Sequence, residues 1–323
     1  MTQKASFLKD LSLPVIAAPM FLISNPELVI ACCTNGIVGT FPALNQRSSA
    51  GFESWLIEIK EALAAFEAET GKKPAPFGVN LIVHPTNPRL EADLKLCMKH
   101  KVPLIITSLG AVSEVVNAVH SYGGLVFHDI IKKRHAEKAT EAGVDGLILV
   151  SAGAGGHAGT INPMTLVAEV ESFFDKTLIL SGCISTGRDV ASALQMGADL
   201  AYMGTRFINT SESAAPEEYR KMIIEAGASD IIYTAAISGV HANFLAQSLQ
   251  AAGLSEEDLK KNTKIDFGKE LDTEAKAWKT IWSAVQWEST IHETLSVKAL
   301  VEKLREELLQ SLRNQDSMIE RYG

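Results

Sequence analysis

Cysteine is scarce in this chain. Only Cys32, Cys33, Cys97 and Cys183 occur in 323 residues, and none has the spacing of a metal site or a disulfide framework. This argues against a stapled secreted fold and a cysteine-ligated metal centre, and no metal is expected. Long apolar runs are absent too. GLILVSAGAG is among the most apolar stretches and falls well short of the roughly 20 residues that a spanning helix requires, so no membrane span is expected. The N-terminal MTQKASFLKD lacks an apolar leader core, and with the sparse thiols it points to a reducing, cytoplasmic setting. Positive charge is in deficit, with 30 Lys and Arg against 38 Asp and Glu, giving a net charge of -8. The two signs are interspersed, so there is no basic face for nucleic acid.

What the chain has is apolar mass, 46% of its residues, enough for one large core. Short apolar runs alternate with segments of helical period, the order of repeated βα units. Strands are predicted at Pro14–Met20, Ile37–Leu44, Phe77–Val83, Pro103–Leu109, Gly124–Ile130, Gly146–Ser151, Thr177–Gly182 and Leu200–Phe207. Helices fall between them, from Pro26–Asn35 to Arg188–Met196, with Gly143 and Gly197 placed to end two of them in the left-handed conformation. Eight such strands predict an α/β fold, a (β/α)8 TIM barrel. Residues 1–212 and 290–323 are assigned to the barrel, with a helix over Ser296–Leu312. Residues 213–289 are assigned to an eighth-unit extension and cap. Trp278, Trp282 and Trp287 in that cap, at near-helical spacing, fit packing onto the barrel better than a wall of the pocket.

Functional groups of such barrels sit on the loops after the strand C-termini. The sixth loop, SAGAGGHAGT, surrounds His157 with glycines that let the backbone approach a ligand closely, and a histidine there suits proton exchange. The seventh and eighth, SGCISTGRD and MGTRF, offer backbone N–H groups beside glycine as a joint phosphate cradle, with Ser185 or Thr186 able to cap the next helix. Arg188 and Arg206 pair either with phosphate or with acidic neighbours. Asn80, near the end of strand three, either addresses a ligand or satisfies backbone. His128 and Asp129 either face the ligand together or make a structural hydrogen bond. Met20 after AAP fits a ligand or the core equally well.

AAPM, FGVNL, AGAGGHAG, LSGCISTGR and ADLAYMGTRF occur in the order seen in the nitronate monooxygenase family, formerly 2-nitropropane dioxygenases, which the chain resembles over most of its length. The resemblance implies an FMN-dependent barrel that oxidises alkyl nitronates, or nitroalkanes, with O2 to a carbonyl compound and nitrite. His157 matches the family's catalytic histidine. Gly156, Gly182, Cys183, Gly204 and Thr205 match positions near the ribityl chain and phosphate, and Ala18, Pro19, Met20 and Asn80 match positions near the flavin ring. Phe21 and Leu22 replace small residues common in relatives, Cys183 replaces a glycine, and Asp129 places an acid near the ring where many relatives have none. Flavin enoyl reductases and NADH:quinone reductases share the scaffold, so an NAD(P)H-dependent reductase is the alternative activity. The expected partners are a small-molecule substrate and O2. The oligomeric state is open, a homodimer included.

Overall fold

Strict alternation of inward and outward side chains along parallel strands builds the core. The computed structural model describes residues 4–110, 113–237, 239–255, 257–260, 281–286 and 290–323. The first six strands are β1 (Val15–Ala17), β2 (Val38–Pro42), β3 (Phe77–Ile82), β4 (Leu104–Ser108), β5 (Leu125–Ile130) and β6 (Gly146–Val150). They are followed by β7 (Gly156–His157), β8 (Thr177–Ser181) and β9 (Leu200–Met203). All but β7 close a parallel barrel in the order β1-β2-β3-β4-β5-β6-β8-β9, and β9 returns to β1 through Ile16↔Tyr202. Ile16, Val38, Leu104, Ile106, Phe127, Ile148, Ile179 and Leu200 fill its interior, while the residues between them pack outward against helices. This confirms the eight-stranded barrel expected from the pattern.

The bottom of the barrel is plugged by the N-terminus. Ala5 N donates to Thr177 Oγ1 at 2.8 Å, and the Phe7 ring lies 6.2 Å from that of Phe127. Ligands are thereby confined to the opposite, C-terminal mouth.

Helices α1 (Pro26–Thr34), α2 (Ser49–Thr70), α3 (Leu90–His100), α4 (Ser113–His120), α5 (Lys133–Glu141), α6 (Pro163–Glu171) and α7 (Gly187–Gln195) follow the strands in turn. Their boundaries follow capping chemistry. Asn25 and Asn162 cap helices that begin on proline, and Gly143 and Gly197 take positive φ just past α5 and α7 as expected. The eighth strand ends earlier than expected, at Met203. The Gly204 carbonyl accepts from Phe207 N at 2.8 Å and from Ile208 N at 3.3 Å, turning the apolar run into the short helix α8 (Thr205–Ile208).

From there the chain leaves the barrel as α9 (Glu217–Glu225), β10 (Ile231–Thr234), β11 (Ala242–Leu245) and α10 (Ala246–Ala251). It returns as α11 (Val297–Tyr322), capped where expected by Ser296 but ten residues longer than the predicted Leu312 end. Val297, Leu300, Val301, Leu304 and Leu308 of α11 are buried, and the helix packs on α7 and α1, completing the ring. No helix among the described residues is long and apolar enough to cross a membrane.

Candidate functional site

At the C-terminal mouth lies a cavity of about 430 Å³, within the range of sites for small ligands and cofactors. Inward alternation delivers Asn80, Ser108, Asp129, Ser181 and Tyr202 to its wall, one each from β3, β4, β5, β8 and β9. Of the residues singled out from sequence, Ala18, Pro19, Met20, Asn80, Asp129, Gly156, His157, Gly182, Gly204 and Thr205 all line it. Cys183 does not. At φ 53° its side chain turns toward Gly153, where an added Cβ would lie 2.3 Å from Sγ. Burial pushes that thiol up in pKa.

His157 lies on a short strand, not on an open loop. Gly156–His157, as β7, pairs antiparallel with β11 through Ala242↔His157, and β11 pairs in turn with β10. The flanking carbonyls are clamped from the same sheet. Asn243 Nδ2 donates to Ala154 O at 2.7 Å and Tyr233 Oη to Ala158 O at 3.0 Å, while Ala158 N donates to His241 O at 3.2 Å. Burial lowers the His157 pKa to about 4, so at neutral pH its imidazole is uncharged and able to accept a proton. Beside it, Gly156 at φ 68° has nothing within 4 Å of where a Cβ would stand.

The two polar residues ending β5 part company. His128 points outward, where Thr107 Oγ1 and its Nδ1 are 2.8 Å apart, and burial lowers its pKa to about 4. Asp129 points inward at the end of a directed chain: Asn80 Nδ2 donates to Ser108 Oγ at 2.9 Å, and Ser108 Oγ donates to Asp129 Oδ2 at 2.5 Å. Its other oxygen, Oδ1, is buried without a hydrogen-bond partner among the described residues. Burial raises the carboxyl pKa to about 6 despite the opposing Ser108 hydrogen bond. Tyr202 is driven well above the ordinary phenol range by burial and then by Asp129.

The loop after β1 is pinned by a residue that motif reading missed. Asn45 Nδ2 donates to Met20 O at 3.0 Å and Ser24 O at 2.7 Å, and its Oδ1 accepts from Leu22 N at 2.9 Å, holding Leu22 at φ 61°. Phe21 and Leu22 both line the cavity. Ser108 and Tyr202 were also missed, although each stands where strand alternation places an inward residue at a strand end.

The loops after β8 and β9 lie beside the cavity, but α7's own N-terminus is already engaged. Thr186 caps it, Asp189 Oδ2 accepts from Ser185 N and Thr186 N, and Glu307 Oε2 accepts from Gly187 N at 2.7 Å. Arg206 is buried toward Glu293 and Glu307, the acidic-neighbour arrangement, and the exposed Arg188 does not line the cavity. No lysine or arginine lines it among the described residues, and no group of three or more potential metal ligands converges among them.

Over the mouth, Trp282 stacks on Tyr219 with ring centroids 4.8 Å apart and planes 10° apart, and both line the cavity. The pocket-wall alternative thus holds for Trp282, while Trp278 and Trp287 lie outside the described residues. Val285 N donates to Thr205 Oγ1 at 3.0 Å and Gln286 N to Gly153 O at 3.1 Å, tying this segment to the glycine loops.

These residues fit a flavin mononucleotide. The volume is adequate, and Gly156, with nothing within 4 Å of its would-be Cβ, leaves backbone open to close approach.

A family model described as nitronate monooxygenase matches residues 5–307. The nitronate monooxygenase of Paraburkholderia phytofirmans is 25% identical, with 93% of each chain covered. A (3aS,4S,5R,7aS)-5-hydroxy-7a-methyl-1-oxo-octahydro-1H-indene-4-carboxyl-CoA dehydrogenase of Rhodococcus jostii is 26% identical over 70% of this chain and 61% of its own length. Among solved structures, FabK from Thermotoga maritima superposes with a TM-score of 0.79 at 22% identity, covering 96% of this chain and 97% of that one, a likeness of fold.

Proposed function

The chain belongs to the nitronate monooxygenase family, and on that premise we propose that it is an FMN-dependent oxidoreductase converting alkyl nitronates, and nitroalkanes, with O2 to a carbonyl compound and nitrite. The observation that carries this reading is the position of His157, held by pairing with β11 at the wall of the barrel-mouth cavity, where burial lowers its pKa to about 4. FMN supplies the redox chemistry when bound. Its ring would lie by Ala18, Pro19, Met20 and Asn80, and its ribityl chain and phosphate by Gly156, Gly182, Gly204, Thr205 and the backbone of Cys183.

The protein's part is positional and acid–base. As neutral imidazole, His157 removes the α-proton of a nitroalkane at neutral pH, and the imidazolium so formed stabilises the nitronate beside it. Trp282 and Tyr219 screen the mouth from water. Cys32, Cys33 and Cys97 are buried and unpaired, in keeping with a cytoplasmic protein. Anaerobic mixing of the FMN-loaded protein with a nitronate is expected to bleach or shift the flavin spectrum, and an unchanged spectrum with every nitronate tried refutes the activity.

A second reading, an NAD(P)H-dependent reductase of quinones or enoyl thioesters, draws support from the likeness to a CoA-thioester dehydrogenase. Rapid anaerobic bleaching by NADH or NADPH, with no response to nitronate, selects it.

A further inference from the structure

The cavity wall carries an acid that the proposed chemistry leaves idle. Asp129 sits among Asn80 on β3, Ser108 on β4 and Tyr202 on β9, with apolar Ile148 and Val150 on the neighbouring β6. The other titratable side chains among the described lining residues are His157, Tyr202 and Tyr219, and the Tyr202 phenol is held protonated by burial and by Asp129 itself, while His128, adjacent in sequence, faces away toward Thr107. The Asn80-to-Ser108-to-Asp129 chain delivers a single hydrogen bond to Oδ2 and none to Oδ1, so the anion is half-satisfied. No cation among the described lining residues offsets it. A second negative charge brought into this space finds a like charge and no counter-ion, which favours protonation of the carboxylate.

We propose that Asp129 is the charge-compensating proton acceptor of the site: when the bound flavin becomes an anion on reduction, a proton from solution passes to the Asp129 carboxylate. The inference rests on the FMN reading. Two electrons, from substrate in turnover or from dithionite in a titration, enter oxidised FMN together with one proton and give a reduced flavin of one added negative charge. A second proton converts the carboxylate to the carboxylic acid, so the cavity's net charge is unchanged. His157 keeps its separate role toward substrate.

The test is the flavin midpoint potential of the holoprotein between pH 7 and 8.5, for wild type, Asp129→Asn and His157→Asn. Each proton accompanying two electrons changes the equilibrium tenfold per pH unit, about 30 mV. Wild type and His157→Asn are expected to fall by about 60 mV per pH unit, with two protons, and Asp129→Asn by about 30 mV, with one. Equal slopes in wild type and Asp129→Asn overturn the proposal, as does a halved slope in His157→Asn in place of Asp129→Asn. Asn is nearly isosteric, and Ser108→Ala gives a second variant: by removing the donor to Oδ2 it should hold the two-proton slope to higher pH. A protein that binds no FMN in any form removes the underlying reading instead, a result visible as a colourless preparation before any titration.

Discussion

The clamp on the His157 strand makes a prediction that separates positioning from stability. Asn243 is buried, and its amide donates to Ala154 O at 2.7 Å, three residues before His157. Asn243→Ala leaves that carbonyl unsatisfied in the interior, a cost of about 1–3 kcal/mol. At roughly 2–4 °C per kcal/mol for a large domain, the melting temperature should fall by about 2–12 °C. Tyr233→Phe removes a more exposed hydrogen bond to Ala158 O and should cost only about 0.5–1.5 kcal/mol. Both changes loosen the same short strand, so their effects on catalysis should exceed what stability implies. A displacement of about 1 Å costs on the order of 100-fold in rate. The expected pattern in steady-state kinetics with a nitroalkane is a kcat lower by about 10- to 100-fold for Asn243→Ala, with an unaltered flavin spectrum and a smaller loss for Tyr233→Phe. Destabilisation with kcat within twofold of wild type would refute the idea that the cap sheet positions the base.

Further expectations concern the buried ionisable groups and the glycine loop. Asp129 has a folded pKa of about 6, above its ordinary value of 3.8, so its protonated form is favoured on folding. That contribution is complete below about pH 3.8 and lost as pH rises through 6. Asp129→Asn should therefore gain up to about 3 kcal/mol relative to wild type at pH 8 compared with pH 4, read by urea denaturation. His128 shifts the opposite way, to about 4. Its stabilising contribution exists above about pH 6.5 and disappears as pH falls toward 4, so His128→Asn should flatten that part of the acid limb in a pH series of thermal melts. Gly182 has φ 127°, and an added Cβ would lie 2.4 Å from Ser151 Oγ. Gly182→Ala should cost about 1–3 kcal/mol of local strain and weaken FMN uptake by at least tenfold in a fluorescence titration.

Much of the architecture was legible because barrel strands and helices have different hydrophobic periods, and because Gly143, Gly197, Asn25 and Thr186 punctuate them locally. The over-extension of the eighth strand to Phe207 has a local cause. Residues 200–207 are continuously apolar apart from Gly204, Thr205 and Arg206, and only the backbone turn at Gly204 separates strand from helix. The inward course of Asp129 and outward course of His128 follow from alternation counted along β5. The same counting exposes Ser108 and Tyr202, which motif reading passes over. What local pattern could not reveal is the strand at His157. Its partner Ala242 lies 85 residues away, and a two-residue strand has no period of its own. The place of Trp282 against Tyr219 is likewise a tertiary result, since spacing alone favours packing onto the barrel over a pocket wall.

The central claim is that neutral His157 takes a proton from substrate beside a bound flavin. Anaerobic stopped-flow mixing tests it most directly, with FMN-loaded wild type and His157→Asn each met by a neutral nitroalkane and by its preformed nitronate. Wild type should bleach with both. His157→Asn should slow by about 10²–10⁴-fold with the nitroalkane and far less with the nitronate, which needs no deprotonation. Equal slowing with both substrates, or a wild-type spectrum indifferent to either, would contradict the account.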